Sequence, residues 1–191
     1  MAPQKNKPCN LEPTWDSLMR ADFCFVPTIS RTWAPRGQTP ILTTAGTWSK
    51  VSAISVLTIS PRCTHLGLYC QFHTKKNVRA PEVIQFLRHL LRHIRGHIVL
   101  LWDRGQPHRA GIVGEFLHKH PRLHPHLLPA YAPELNPDEL VWNHMKRALA
   151  NTIPKDDHEL HRRLHMPLKR LRRSQRLLRS CINASELPWI V

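Results

Sequence analysis

The most constraining feature of the chain is the apolar run HIVLLWD at residues 97–103, which follows an amphipathic segment at residues 80–96. In that segment, apolar residues recur at three- and four-residue steps from Val83 to Ile94, which predicts a helix ending near Gly96. The run itself is apolar without alternation and ends in an acid, which is typical of a strand buried on both faces of a parallel sheet. A helix followed directly by such a strand predicts an α/β domain.

Further elements are predicted on both sides of this pair. The predicted strands are residues 21–29, 48–60, 64–72 and 122–129, and the predicted helices are residues 108–120 and 137–151, with helical spacing again at 155–180 interrupted by Pro167. Residues 30–40 are rich in Pro and Gly and are predicted to form a loop. The order predicts a mixed sheet with helices on both faces. Open α/β sheets place their chemistry at the carboxyl ends of strands, so Asp103 lies where a site is expected.

The charge of the chain limits its partners. It has 191 residues with 28 Lys and Arg against 13 Asp and Glu, a formal net charge of +15. Such self-repulsion favours a polyanionic partner, and nucleic acid is the first hypothesis. No stretch approaches 18 consecutive apolar residues and no signal peptide is recognisable, so we expect a cytoplasmic protein that does not insert into a membrane. The five cysteines contain no CxxC pair, which favours reduced thiols.

Scarce acids cluster in the segment LPAYAPELNPDELVW at residues 128–142. Glu134, Asp138 and Glu139 stand there beside Pro137, which is typical of the first turn of a helix, where the helix dipole favours acids. Carboxylates also hold the divalent ions that support phosphodiester chemistry, and a metal ion between them and a phosphate removes their mutual repulsion. Asp138 and Glu139 are both explained by the helix start, so residue type alone does not separate them.

A histidine-based zinc site is the alternative that the sequence offers. His89, His93 and His97 step by four residues. However, Gly96 is expected to end the helix before His97, and no cysteine completes a structural zinc set. The sequence therefore disfavours zinc.

Three segments carry a family resemblance. RTWAPRGQTP at residues 31–40, VLLWDRGQPHRA at residues 99–110 and LPAYAPELNPDELVWNHMKRALAN at residues 128–151 resemble the signature blocks of DDE transposases of bacterial insertion sequences in the mariner-type superfamily. The blocks occur in the family order, and 35 residues separate Asp103 from Glu139, a spacing that the family uses. The resemblance covers roughly residues 19–190. It implies an RNase H-like fold and cleavage and joining of DNA ends by three carboxylates with Mg²⁺ or Mn²⁺.

The resemblance implies roles for individual acids. Asp103 matches the second carboxylate and Glu139 the third. The spacing of the family places the first carboxylate at Met19, whereas the nearest acids on either side are Asp16 and Asp22. Asp22 is the candidate for the first metal ligand, although a strand position displaced by three lies on the opposite face.

Basic and aromatic residues near these blocks are expected to contact DNA. The candidates are Arg31, Trp33, Arg36, Arg104, His108, Arg109, Lys146 and Arg147. Trp33 is also interpretable as a packing residue. For His108 and Arg109 the functional interpretation is contact with substrate phosphate or orientation of the site. The alternative is that His108 is only a residue at the start of a helix.

The predicted organisation is a poorly ordered segment at 1–18, an RNase H-like catalytic domain at 19–151 and a basic helical tail at 152–191. The loss of resemblance before residue 20 suggests a truncated or frameshifted copy. Three hypotheses follow. The first is a transposase catalytic domain that works on DNA, with a homodimer on the DNA and association with the nucleoid as further expectations. The second is a remnant that binds nucleic acid without catalysis, and the third is an unrelated basic nucleic-acid-binding protein. The three ordered blocks argue against the last.

Overall fold

The computed structural model describes residues 14–24, 30–38, 41, 50–60, 65–74 and 76–186, and for residues 14–24 and 50 the backbone alone. Five strands form one sheet in these residues: β1 (Thr14–Cys24), β2 (Lys50–Ile59), β3 (Leu66–Thr74), β4 (Ile98–Trp102) and β5 (Leu123–Leu127). Their spatial order is β3-β2-β1-β4-β5. The first three strands are antiparallel neighbours, and β4 and β5 continue the sheet in parallel with β1. The mixed sheet predicted from the sequence is confirmed.

Five α-helices accompany the sheet within the described residues. They are α1 (Ala80–His93), α2 (Gly111–His118), α3 (Pro137–Leu149), α4 (Asp157–Arg173) and α5 (Gln175–Asn183). Short 3-10 turns at Gln106–Arg109 and Pro133–Leu135 precede α2 and α3. Helix α1 ends at His93, and Gly96 has a φ of +87°, so the chain reverses at the glycine three residues after the helix.

Strand β2 shows why the helices form two layers. Its side chains are buried along both faces, and successive residues alternate between two apolar clusters. Ala53 and Leu57 pack with α3, α4 and α5, whereas Ile54 and Val56 pack with α1 and α2. Burial on both faces identifies β2 as the strand around which the two layers of the core are built.

The predicted basic tail is part of this core. Leu160, Leu164, Leu168 and Leu171 of α4 are buried in the same cluster as residues of β2 and α3. In addition, Arg172 donates from Nε to the carbonyl of Leu68 on β3 at 2.9 Å. Residues 152–191 were predicted to form a basic helical tail. Helices α4 and α5 lie in this segment, and their apolar stripes cover one face of the sheet.

The predicted interruption of this helical segment at Pro167 was wrong. Pro167 lies inside α4, and the break comes instead at Ser174, whose side chain accepts from the Leu177 N–H at 3.2 Å and caps α5. Leu164 and Leu168 are buried on either side of the proline, so packing outweighs its helix-breaking effect. Strand β1 begins at Thr14, so residues 14–18, predicted to be poorly ordered, belong to the sheet; residues 1–13 lie outside the described part.

Candidate metal and DNA site at the carboxyl end of β4

Asp103 follows the last residue of β4 and lies at the carboxyl edge of the sheet. Its Oδ1 accepts the backbone N–H of Gly105 at 2.9 Å and lies 3.4 Å from Nε2 of His108. The Asp103 side chain is 44% exposed. Both of these contacts are made by Oδ1, so Oδ2 is the oxygen that they leave for an external ligand.

His108 is held in place by the chain immediately after β4. The 3-10 turn begins after Gly105, whose carbonyl accepts the His108 N–H at 3.0 Å. The imidazole packs on the Trp102 ring at a centroid distance of 4.9 Å, and only 2% of the side chain is exposed. Of the two functional interpretations of His108, burial against Trp102 and contact with Asp103 favour orientation of the site over contact with DNA.

Glu139 approaches the same region from the first turn of α3. Asn136 caps this helix, since its side chain accepts the Asp138 N–H at 3.1 Å and its carbonyl accepts the Glu139 N–H at 3.1 Å. The Glu139 carboxyl is partly buried, and burial raises its pKa above the ordinary range. Lys146 opposes this rise in pKa and the negative charge of Asp103 adds to it. The two acids are therefore close enough to repel each other.

Asp103 and Glu139 line one open cavity of about 550 Å³. The other charged residues of its wall are Arg104 and Arg109. Arg104 is fixed there by a hydrogen bond from Nε to the carbonyl of Leu128, at 3.2 Å. The cavity thus combines two carboxylates with two guanidinium groups, which suits a metal ion next to a phosphate.

A second cavity of about 670 Å³ is also lined by Asp103. It is lined by Asn77, Arg79 and Gln106 among others, and Arg79 immediately precedes α1. None of these three was predicted from the sequence, because nothing in their local pattern links residues 77–79 to the end of β4. The folded chain brings these residues to the end of β4, and Asp103 lines both cavities.

Asp138 points away from this site. It is fully buried, and one oxygen accepts a short hydrogen bond from the Ser55 hydroxyl of β2. Burial raises the pKa of Asp138 from 3.8 to about 8, opposed by the Ser55 hydrogen bond and assisted by the charge of Glu139. Asp138 does not line the cavity, whereas Glu139 does, so of these two acids Glu139 is the candidate for the site.

The register of β1 bears on the first carboxylate. In the parallel pairing, Leu18 stands opposite Trp102, so the next positions along the two strands are Met19 and Asp103. Asp22 lies three residues further, about 10 Å along the strand, and pairs with Ser52 on the other side. The backbone therefore brings position 19, and not position 22, beside Asp103. Among the side chains that the structure describes, no three His, Cys, Asp or Glu converge on a metal position.

The remaining predicted DNA contacts lie outside the cavity. Arg31, Trp33 and Arg36 are exposed on the loop 30–38. At the start of this loop, the Ser30 N–H donates to the side chain of Asn151, two residues after the end of α3, at 3.0 Å. Lys146 and Arg147 lie in the last turn of α3, Lys146 partly buried and Arg147 exposed.

The three histidines considered for zinc do not form one cluster. His89 and His93 pack together with ring centroids 4.1 Å apart, whereas Nδ1 of His97 lies 2.8 Å from Nε2 of His124 on β5. The end of α1 at His93 separates the two pairs, as the sequence pattern indicated.

Comparison with known families assigns the chain to a class. The family model described as DDE superfamily endonuclease matches residues 21–161, which includes the cavity and most of the sheet. The chain therefore belongs to the DDE superfamily endonucleases. No curated protein matches it.

Solved structures share the fold. The mariner Mos1 paired end complex with Mg aligns with a TM-score of 0.61 at 18% identity over 92% of this chain and 53% of the other. The Mos1 mariner paired end complex with Mn aligns with a TM-score of 0.59 at 16% identity over 91% of this chain and 56% of the other. The chain thus spans about half the length of these transposases. The RNase H-like fold is confirmed. No helix in the described residues is both long and apolar enough to cross a bilayer.

Proposed function

We propose that this chain is the catalytic domain of a DNA transposase that cuts and joins DNA strands with a divalent metal ion. One observation carries the proposal: Asp103 and Glu139, which 35 residues separate in the sequence, line one cavity together with two arginines. The sequence blocks further support a mariner-type transposase of a bacterial insertion sequence, working in the cytoplasm on element ends and target DNA, as a homodimer on that DNA.

The cavity suits Mg²⁺ or Mn²⁺. Asp103 and Glu139 supply oxygen ligands, and the neighbouring solved structures are complexes with Mg and with Mn. The charge of Asp103 contributes to the raised pKa of Glu139, and a cation between the two carboxylates would reverse that effect. Bound metal ions would activate the attacking oxygen and stabilise the leaving oxygen of the phosphodiester.

The other residues of the cavity prepare it for a DNA strand. His108 and the Gly105 N–H hold Oδ1 of Asp103, which fixes the orientation of the carboxylate. Arg104 and Arg109 line the same cavity and would bind phosphate oxygens of the DNA strand. Arg31, Trp33, Arg36, Lys146 and Arg147 would bind more distant parts of the DNA backbone.

The first carboxylate decides whether the chain is active. Asp22 is the proposed third ligand, but the β1–β4 register favours position 19, where this chain has Met. The second candidate function follows from that observation. In it, the chain keeps the fold and the basic surface, binds DNA and cleaves nothing.

Nicking of supercoiled plasmid in Mn²⁺ separates the two functions. The proteins compared are the native chain, Asp103→Asn, Asp22→Asn, and a variant with Met19→Asp and Arg20→Glu; Glu134→Gln, which removes an exposed acid outside the cavity wall, is the matched control. Nicking by the native chain that both Asp103→Asn and Asp22→Asn abolish supports the enzyme with Asp22 as a ligand.

Other outcomes are equally informative. Nicking only by the Met19→Asp, Arg20→Glu variant would establish the DNA-binding remnant with an intact scaffold. Absence of both nicking and DNA binding in all proteins, each shown to be folded by circular dichroism, would overturn the proposed function.

A further inference from the structure

Tyr131 is the most exposed large side chain at the cavity. Its ring is fully exposed, and the residue lines the same wall as Asp103, Glu139, Arg104 and Arg109. Apolar rings of this size are normally packed, and an isolated exposed ring at the mouth of a polar cavity is a candidate contact surface for a flat ligand.

The backbone of Tyr131 is strained. Its φ is +58°, in the left-handed region that bulky residues rarely adopt. Strain of this kind persists where the surrounding structure holds it, and it clusters at binding sites. Here the holding contacts are at both ends of the loop. The Leu128 N–H donates to the Trp102 carbonyl at 2.9 Å, and the Asn136 N–H donates to the Pro133 carbonyl at 3.0 Å.

These anchors connect the ring to the catalytic acids. Leu128 is fixed to the end of β4, one residue before Asp103, and Asn136 caps the helix that carries Glu139. The apex of the loop, with Tyr131, is therefore held at a defined position relative to both acids. A ring so placed positions a substrate without taking part in the chemistry.

Resting on the proposed function, we propose that Tyr131 stacks on an unpaired DNA base next to the phosphate bound between Asp103 and Glu139. Arginines on the same wall would bind the flanking phosphates, which leaves the ring facing the base. A base inside a duplex has both faces covered by its neighbours, so only a terminal, unpaired or extruded base can offer a face to Tyr131. The site therefore prefers DNA with unpaired bases over a blunt duplex.

Binding measured without cleavage tests this proposal. The probes are a blunt hairpin DNA and the same hairpin with a short single-stranded 3′ extension whose first unpaired base is 2-aminopurine, a fluorescent adenine analogue quenched by stacking. Calcium is the divalent ion. The proteins are the full native chain, Tyr131→Phe, Tyr131→Asn and Met166→Ala. Asn tolerates the left-handed backbone, and Met166 is an exposed apolar residue on α4 outside the cavity.

We expect the native chain, Tyr131→Phe and Met166→Ala to bind the extended DNA about tenfold more tightly than the blunt hairpin and to quench 2-aminopurine. Tyr131→Asn should lose the preference and the quenching while it retains its affinity for the blunt hairpin. If Tyr131→Asn keeps both, the stacking role is wrong and the proposed function stands. If no protein binds either DNA, the proposed function fails, and the stacking role with it.

Discussion

Helix α3 presents two consecutive carboxyl groups to opposite environments. Glu139 reaches the cavity that Asp103 lines, whereas Asp138 is buried in the core against Ser55 of β2. Burial raises the pKa of both, and it raises that of Asp138, which is fully enclosed, to about 8. The difference arises because one side of the first turn of α3 packs on the sheet, whereas the other side faces the carboxyl edge of β4.

The comparison shows that the function of an acid at a helix N-terminus depends on the direction in which its side chain points, not on its residue type. At neutral pH most Asp138 is in the acid form, which suits a buried position, whereas Glu139 is assisted toward its charged form by Lys146. We therefore expect Glu139 to control activity and Asp138 to control stability.

The largest expected effect is the loss of nicking in Glu139→Gln. Removal of a metal-binding carboxylate should slow nicking on the order of 1000-fold in whichever parent nicks plasmid, the native chain or its Met19→Asp, Arg20→Glu variant. Mn²⁺ affinity, measured by calorimetry in either parent, should fall in parallel. Asp138→Asn is the matched control on the adjacent residue and should leave both within about threefold. Equal losses in the two variants would remove the functional distinction between these acids.

The next effect is on the pH dependence of stability. Between the unfolded pKa of 3.8 and the folded pKa of about 8, the native state binds a proton at Asp138 that the unfolded state does not. The free energy of unfolding therefore falls as pH rises, by about 1.4 kcal/mol per pH unit from this group, or roughly 3 kcal/mol between pH 5 and 7. Urea unfolding at pH 5, 6, 7 and 8 measures it.

Asp138→Asn should remove this part of the pH dependence. Histidines whose pKa is lowered by burial, such as His73 and His89, oppose the trend equally in the native chain and in the variant, so the difference between the two curves isolates Asp138. Glu134→Gln, an exposed acid two residues before Asn136, is the control and should leave the curve unchanged. Parallel curves for the native chain and Asp138→Asn would show that Asp138 is not protonated on folding.

Removal of the Ser55 hydroxyl is expected to cost less. Ser55→Ala leaves the buried Asp138 carboxyl without its described hydrogen-bond donor and should destabilise the protein by about 2 kcal/mol at pH 7. Ser52→Ala is a matched control on the same strand. The Ser52 hydroxyl is also buried but has no hydrogen-bond partner in the described part of the chain, so its removal should be neutral or stabilising. A larger loss for Ser52→Ala would contradict the pairing of Ser55 with Asp138.

Most of the fold was predictable because each element has its own local pattern. The run before Asp103 is continuously apolar, the stripe of α1 is periodic, and the proline and acids at the start of α3 mark a helix terminus. Asp103, Asp138 and Glu139 were therefore candidates before any contact was known, and only the family resemblance singled out Glu139. The burial of Asp138 was not predictable, since it depends on how α3 lies across β2. Similarly, Pro167 has the local signature of a break, which long-range packing of α4 outweighs.

The smallest expected effect concerns the orientation of Asp103, the other acid of the cavity. A Cβ at Gly105 would lie 2.9 Å from Oδ1 of Asp103 and 3.2 Å from Cδ2 of His108, so Gly105→Ala must shift the carboxylate or the imidazole. Because such contacts orient a ligand without binding the metal, we expect Mn²⁺ affinity to fall about tenfold with little change in stability. Gly114→Ala, on α2 with open space around its Cβ, is the matched control and should bind Mn²⁺ normally. Unchanged Mn²⁺ affinity in Gly105→Ala would mean that Asp103 binds the metal without the orientation we describe, and that Glu139 alone sets the geometry of the site.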